Sequence, residues 1–162
     1  MTLYLDTSSL VKLYVAEPGS ALVRALVDGA TLVATSAIAY PETRAALARR
    51  RRDGGLTPAV FARAKRAFER DWPKYLAVAA SASICHAAGD MAERYRLRGF
   101  DSVHLASYLE VARRAGPAQT RFSSHDDRLN RAARLAARAL AREQTGHASR
   151  RSDANRRSRA DL

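Results

Sequence analysis

Short β-type runs recur at four points in the chain: residues 2–5, 31–34, 75–80 and 119–123. Sequence with helical periodicity fills every gap between them. Leu10, Val11, Leu13 and Tyr14 recur at helical spacing, and Glu17-Pro18-Gly19 ends that segment. A second short amphipathic helix is expected over 21–27. Ser36 is a candidate cap for a helix that runs to the basic cluster at Arg49–Arg52. Thr57-Pro58 opens another helix in the cap-then-proline order, with Phe61, Ala64 and Phe68 on one face. Further helices are expected over 84–97, from Asp101 to Arg114, and over 126–140. Strands separated this regularly by helices cannot pair through hairpins. They predict an α/β sandwich around a mainly parallel sheet.

The chain has 162 residues, which suits one domain with a proper core. No apolar run is long enough to span a bilayer. The first apolar stretch is interrupted at Asp6 with no basic region before it, so a signal peptide is not expected. Cys85 is the only cysteine, which excludes an internal disulfide and a cysteine-based zinc site. It reads as a small buried hydrophobe in a cytoplasmic protein. From about Arg142 the aliphatic residues vanish. The segment 142–162 holds six arginines against three acids and is expected to be a disordered basic tail, leaving 1–141 as the folded domain.

The formal net charge is +12, from 28 Lys+Arg and 16 Asp+Glu, so the chain attracts polyanions. Against that background four acids occupy suggestive places. Asp6 follows the first strand run, Glu42 follows Pro41 on a helix, Asp101 opens a helix, and Asp126 follows the fourth strand run. Ligands of parallel α/β sheets gather beyond the carboxyl ends of the strands. Two carboxylates about 4 Å apart at an effective dielectric near 20 repel by roughly 4 kcal/mol. A divalent cation reverses that sign, and oxygen-only ligands suit magnesium or manganese. Each acid also has a plainer reading. Asp6, Asp101 and Asp126 fit helix N-caps, and Glu42 fits a surface position near Arg44 or Arg49. Arg49–Arg52 suits either phosphate contact or a solvated helix C-terminus.

The segments LDTSSLVKLY, SAIAYPETRAAL, LRGFDSVHLASYLEVARR and FSSHDDRLNRAA, in that order, resemble PIN-domain nucleases, specifically the VapC-type toxins of bacterial toxin–antitoxin pairs. The resemblance covers residues 2–140. It implies a PIN-like three-layer α/β/α sandwich and a Mg²⁺- or Mn²⁺-dependent endoribonuclease that inhibits translation. It puts the acidic quartet that binds the metal on Asp6, Glu42, Asp101 and Asp126, with Ser8 and Ser124 as supporting polar residues and Asp127 beside the last acid. The implied partners are RNA (transfer or ribosomal), a VapB-type antitoxin and a second copy of the chain. His104 matches a histidine of the family motif and is expected to serve packing. A PIN fold that has lost catalysis and only binds RNA or protein is the alternative. A phosphoryl-transfer site of the haloacid dehalogenase type would need an aspartate two residues after Asp6, where Ser8 stands.

Overall fold

A computed structural model describes the backbone of residues 1–160 and the side chains of residues 1–146. The strands are β1 (Thr2–Leu5), β2 (Leu32–Ser36), β3 (Leu76–Val78) and β4 (Thr120–Ser123). The helices are α1 (Thr7–Val11), α2 (Ser20–Asp28), α3 (Ala39–Arg52), α4 (Pro58–Asp71), α5 (Ala82–Tyr95), α6 (Gly99–Ala115) and α7 (Asp127–Ala160). The strands form one sheet in the order β3-β2-β1-β4, with every pairing parallel. The chain steps outward from β1 through β2 to β3, then returns to the opposite side of β1 for β4. That reversal opens a crevice between the carboxyl ends of β1 and β4.

All four residues of β1 are buried, as befits a parallel strand covered on both faces. Its alternation assigns the two cores. Tyr4 joins Leu105, Tyr108, Leu129 and Ala132 under α6 and α7. Leu3 and Leu5 join Leu10, Val23, Ala39 and Phe68 under the helices of the other face. The sandwich therefore has the three layers expected from the sequence.

Helix starts follow local chemistry. Thr57 accepts from the Val60 amide with Pro58 in the first turn of α4, and Ser81 accepts from the Ile84 amide at α5. Other expectations are corrected. Ser36 ends β2 and is no cap, because α3 starts three residues later without a side-chain cap. Pro41 falls in the first turn of α3, where its missing amide hydrogen is not needed, so it causes no break. Asp101 is not the cap of α6; the backbone of Arg98 fills that position and Asp101 lies one turn in. Cys85 is exposed. The last helix does not close near Leu140 but continues to Ala160 through residues of mostly good helix propensity. The expected tail over 142–162 is thus helical in backbone as far as Ala160, and its side chains from 147 onward lie outside the described residues. Among the described residues, no helix is long and apolar enough to cross a membrane.

Candidate active site

The crevice between β1 and β4 is closed by main chain first. The Asp6 amide donates to the Ser123 carbonyl at 3.1 Å, extending the β1–β4 ladder by one step. This fixes the Asp6 side chain at the sheet edge, 5% exposed. Its Oδ1 accepts from the Ser9 amide at 2.9 Å and so caps α1. The Ser8 hydroxyl is within 2.8 and 2.9 Å of both carboxylate oxygens, and the Ser124 hydroxyl donates to Oδ2 at 2.6 Å. The cap and the site role are therefore not exclusive for Asp6: one oxygen serves the helix and the other faces Ser124.

Ser124 also links the two sides of the crevice. Its hydroxyl accepts from the Asp126 amide at 2.9 Å, while its carbonyl is held by the Asn130 side chain at 2.8 Å. Asp126 accepts from the Leu129 amide through Oδ1 at 2.9 Å and so caps α7, and its side chain is exposed. On the far side of the turn the Ser8 hydroxyl accepts from the His125 amide at 2.8 Å. Gly19, at φ +91°, lies against His125, and a Cβ there would come within 2.5 Å of the imidazole Nε2. Glycine is what lets the α1–α2 loop close on this turn.

Asp101 has a different setting. It is partly buried and accepts no hydrogen bond among the described residues. Burial pushes its carboxyl pKa up, the Asp126 and Asp6 charges push it further, and Arg98 offsets only part of this. Asp126 therefore lies close enough to Asp101 for the two charges to repel.

Glu42 comes in from α3 and is held by protein alone. Its Oε2 accepts from the Thr7 hydroxyl at 2.5 Å and lies 3.0 Å from His104 Nε2. His104 is 3% exposed, and its Nδ1 lies 3.1 Å from the Tyr4 hydroxyl. Burial of Tyr4 raises its hydroxyl pKa, so it stays protonated. Glu42, an acceptor when ionised, takes its hydrogen bond from Nε2. Burial raises the Glu42 pKa, but the hydrogen bonds from His104 and Thr7 outweigh it and hold the carboxyl below its usual range.

The structure thus brings Asp6, Asp101 and Asp126 into mutual electrostatic contact, with Ser8 and Ser124 between them, and sets Glu42 on a separate network. Among the described residues, no group of three or more His, Cys, Asp or Glu side chains is gathered tightly enough to enclose an ion. The donor chemistry still fits a hard divalent cation. Every donor is oxygen, and Asp101 is a partly buried carboxylate among like charges with no donor of its own. His104 was expected to serve packing; it is buried edge-on against Tyr4 and in addition holds Glu42. Its position three residues after Asp101 puts both on one helix face, a signal present in the sequence. Thr7, Tyr4 and Asn130 carried no such signal. Of the basic run, Arg50 pairs with Glu17 at 2.6 Å and Arg51 lies 5.1 Å from the Phe61 ring centroid, so half of it serves the fold.

Comparison with known proteins agrees with this geometry. Ribonuclease VapC45 of Mycobacterium tuberculosis (strain CDC 1551 / Oshkosh) is 44% identical over 108 residues, covering 67% of this chain and 75% of the relative. Ribonuclease VapC49 of Mycobacterium tuberculosis (strain ATCC 25618 / H37Rv) matches with the same identity and coverage. The family model described as PIN domain matches residues 3–135, a span that runs from β1 into α7 and includes all four acids. With four parallel strands between two helical layers and a carboxylate cleft at the β1–β4 switch, the chain belongs to the PIN domain family.

Proposed function

We propose that this protein is a metal-dependent endoribonuclease of the VapC toxin type, acting at the cleft of Asp6, Asp101, Asp126 and Glu42. The observation that carries the reading is Asp101: a partly buried carboxylate beside two other acids that accepts no hydrogen bond among the described residues and whose charge Arg98 offsets only in part. Asp6, Asp101 and Asp126 would hold Mg²⁺ or Mn²⁺. A bound divalent ion supplies charge to offset the phosphate and makes a water more acidic for attack on phosphorus. Ser8 and Ser124 orient Asp6, and Ser124 ties it to the Asp126 turn. Glu42, ionised by its His104 and Thr7 contacts, accepts a proton or orients water on the α3 side.

The domain comprises residues 1–141, with the basic segment 142–162 adding non-specific, salt-sensitive affinity for RNA. The substrate is cellular RNA of the transfer or ribosomal class, turnover slows translation, and a VapB-type antitoxin neutralises the enzyme, which acts in the cytoplasm as a homodimer. The names of the two mycobacterial relatives support the nuclease activity and the toxin class.

Cleavage of end-labelled RNA by purified protein, with Mg²⁺ or Mn²⁺ and with chelator, tests this directly. Cutting that needs the ion and disappears in Asp6→Asn and Asp101→Asn is the expected result. RNA binding without cutting in either ion would replace it with a binding module.

A further inference from the structure

Phe100 is the most exposed large apolar side chain among the described residues, at 63%, and it stands next to Asp101 in the first turn of α6. It joins no aromatic cluster. Four residues before it, Arg96 lines a groove of about 570 Å³ between the end of α5 and the start of α7, together with Tyr95, Arg128, Arg131, Ala132 and Leu135. The groove has three guanidinium groups in its lining and no acid. Arg128 donates to the Arg96 carbonyl at 3.5 Å, which ties the groove to the loop that leads through Arg98, a charge near Asp101, into α6. Neither these three arginines nor Arg98 has a carboxylate within salt-bridge distance among the described residues. Arg96 is also the one non-glycine residue at positive φ among them, at φ 53°, ending α5 where glycine is the usual choice.

Like charges gathered in a concave surface favour an anion. An exposed aromatic ring one short loop away from such a groove can read a nucleobase rather than a phosphate. We propose that the groove and Phe100 form the track for a single-stranded RNA segment. Arg96, Arg128 and Arg131 take its phosphates, Arg98 takes the phosphate nearest the carboxylates, and Phe100 stacks a base beside the scissile bond. This rests on the ribonuclease reading for its substrate, and it assigns the strand a direction of approach: over α7 and the α5–α6 loop.

The test is binding of a short fluorescent single-stranded oligoribonucleotide to the full chain in chelator, so that no cleavage contributes. Phe100→Ala weakens binding about tenfold, within the range of one lost base stack, and leaves the salt slope unchanged. Phe100→Trp keeps the affinity, and its emission is quenched by the oligonucleotide beyond any change in the wild type. The double variant Arg128→Ala/Arg131→Ala lowers the slope of log affinity against log salt by about 1.4, two phosphates' worth for a single strand. Wild-type binding by both Phe100→Ala and the double variant overturns the track. So does an equal loss of affinity for a polyglutamate peptide in both, which would mark only a general positive field. Because cleavage is measured separately, a protein that never cuts RNA but binds it through Phe100 fails the nuclease reading and keeps the track. One that cuts RNA at the wild-type rate without Phe100 and the arginines does the reverse.

Discussion

The two arms of the cleft solve the same electrostatic problem in opposite ways. Glu42 is supplied with everything a carboxylate needs: a hydroxyl from Thr7, an imidazole from His104, and behind that the Tyr4 hydroxyl. Its ionised form is favoured by the protein itself. Asp101, across the cleft, has no donor, and burial and neighbouring acids disfavour its charge. Asp6 lies between the extremes, with one oxygen on a helix cap and the other on Ser124. A carboxylate stabilised by protein is a fixed part of the scaffold, whereas one destabilised by it awaits a partner. On the proposed reading, the difference divides the quartet into an orienting arm and a charge-receiving arm.

The comparison breaks most visibly in activity. Asp101→Asn is expected to reduce RNA cleavage by at least about a hundredfold, the scale of losing a group that stabilises charge in the transition state. The same variant is expected to raise the melting temperature of the metal-free protein, because it removes a repelling charge. A variant that is inactive and less stable would put Asp101 in the structural arm with Glu42.

Next comes ligand linkage. Mg²⁺ or Mn²⁺ at about a hundred times its dissociation constant should stabilise the wild type by about 2.7 kcal/mol. Denaturant melts should show that gain shrink sharply in Asp101→Asn and persist in large part in His104→Ala. Equal gains in both variants would erase the distinction between the arms.

His104→Ala tests the orienting arm by itself. Removing the imidazole strands the Glu42 carboxylate and the buried Tyr4 hydroxyl, and a loss of about 2 kcal/mol in urea unfolding is expected. Tyr4→Phe removes only the outermost hydrogen bond and should cost about 1 kcal/mol.

The smallest effect is in pH, and its signs are opposite on the two arms. The Glu42 carboxyl is lowered in the fold from 4.5, so its contribution to stability is complete above that value and is lost as pH falls through the lowered one. The Asp101 carboxyl is raised from 3.8, so the metal-free fold favours its protonated form and loses stability as pH rises from that value through the raised one. Melting curves of Glu42→Gln and Asp101→Asn against pH should therefore diverge from wild type in opposite directions, with both gaps narrowing in acid.

Much of the architecture was legible in the sequence because burial pattern and element period coincide. Four strand runs between helical segments became four parallel strands in three layers, and the strand ends carried Asp6 and Asp126 to one crevice. Cap chemistry was read well where a polar side chain did the capping, at Thr57 and in the plainer readings of Asp6 and Asp126. It failed at α6, where Arg98 and Gly99 open the helix by backbone alone and leave Asp101 without that duty. The link between His104 and Glu42 joins residues 62 apart across two helices, and no local pattern encodes it. Asp6 was hard to assign from sequence because it does two things, one with each oxygen.

Tyr4 occupies the centre of the apolar core, stacked on Phe122 and edge-on to Tyr108, while its hydroxyl reaches His104. The residue that seals the sheet is also the one that aims His104, and through it Glu42. Folding and arming are one event for this arm: no later ordering step is left at which it could be held in reserve. Restraint has to be imposed from outside, by blocking entry to the cleft, since loosening the arm would mean unmaking the core.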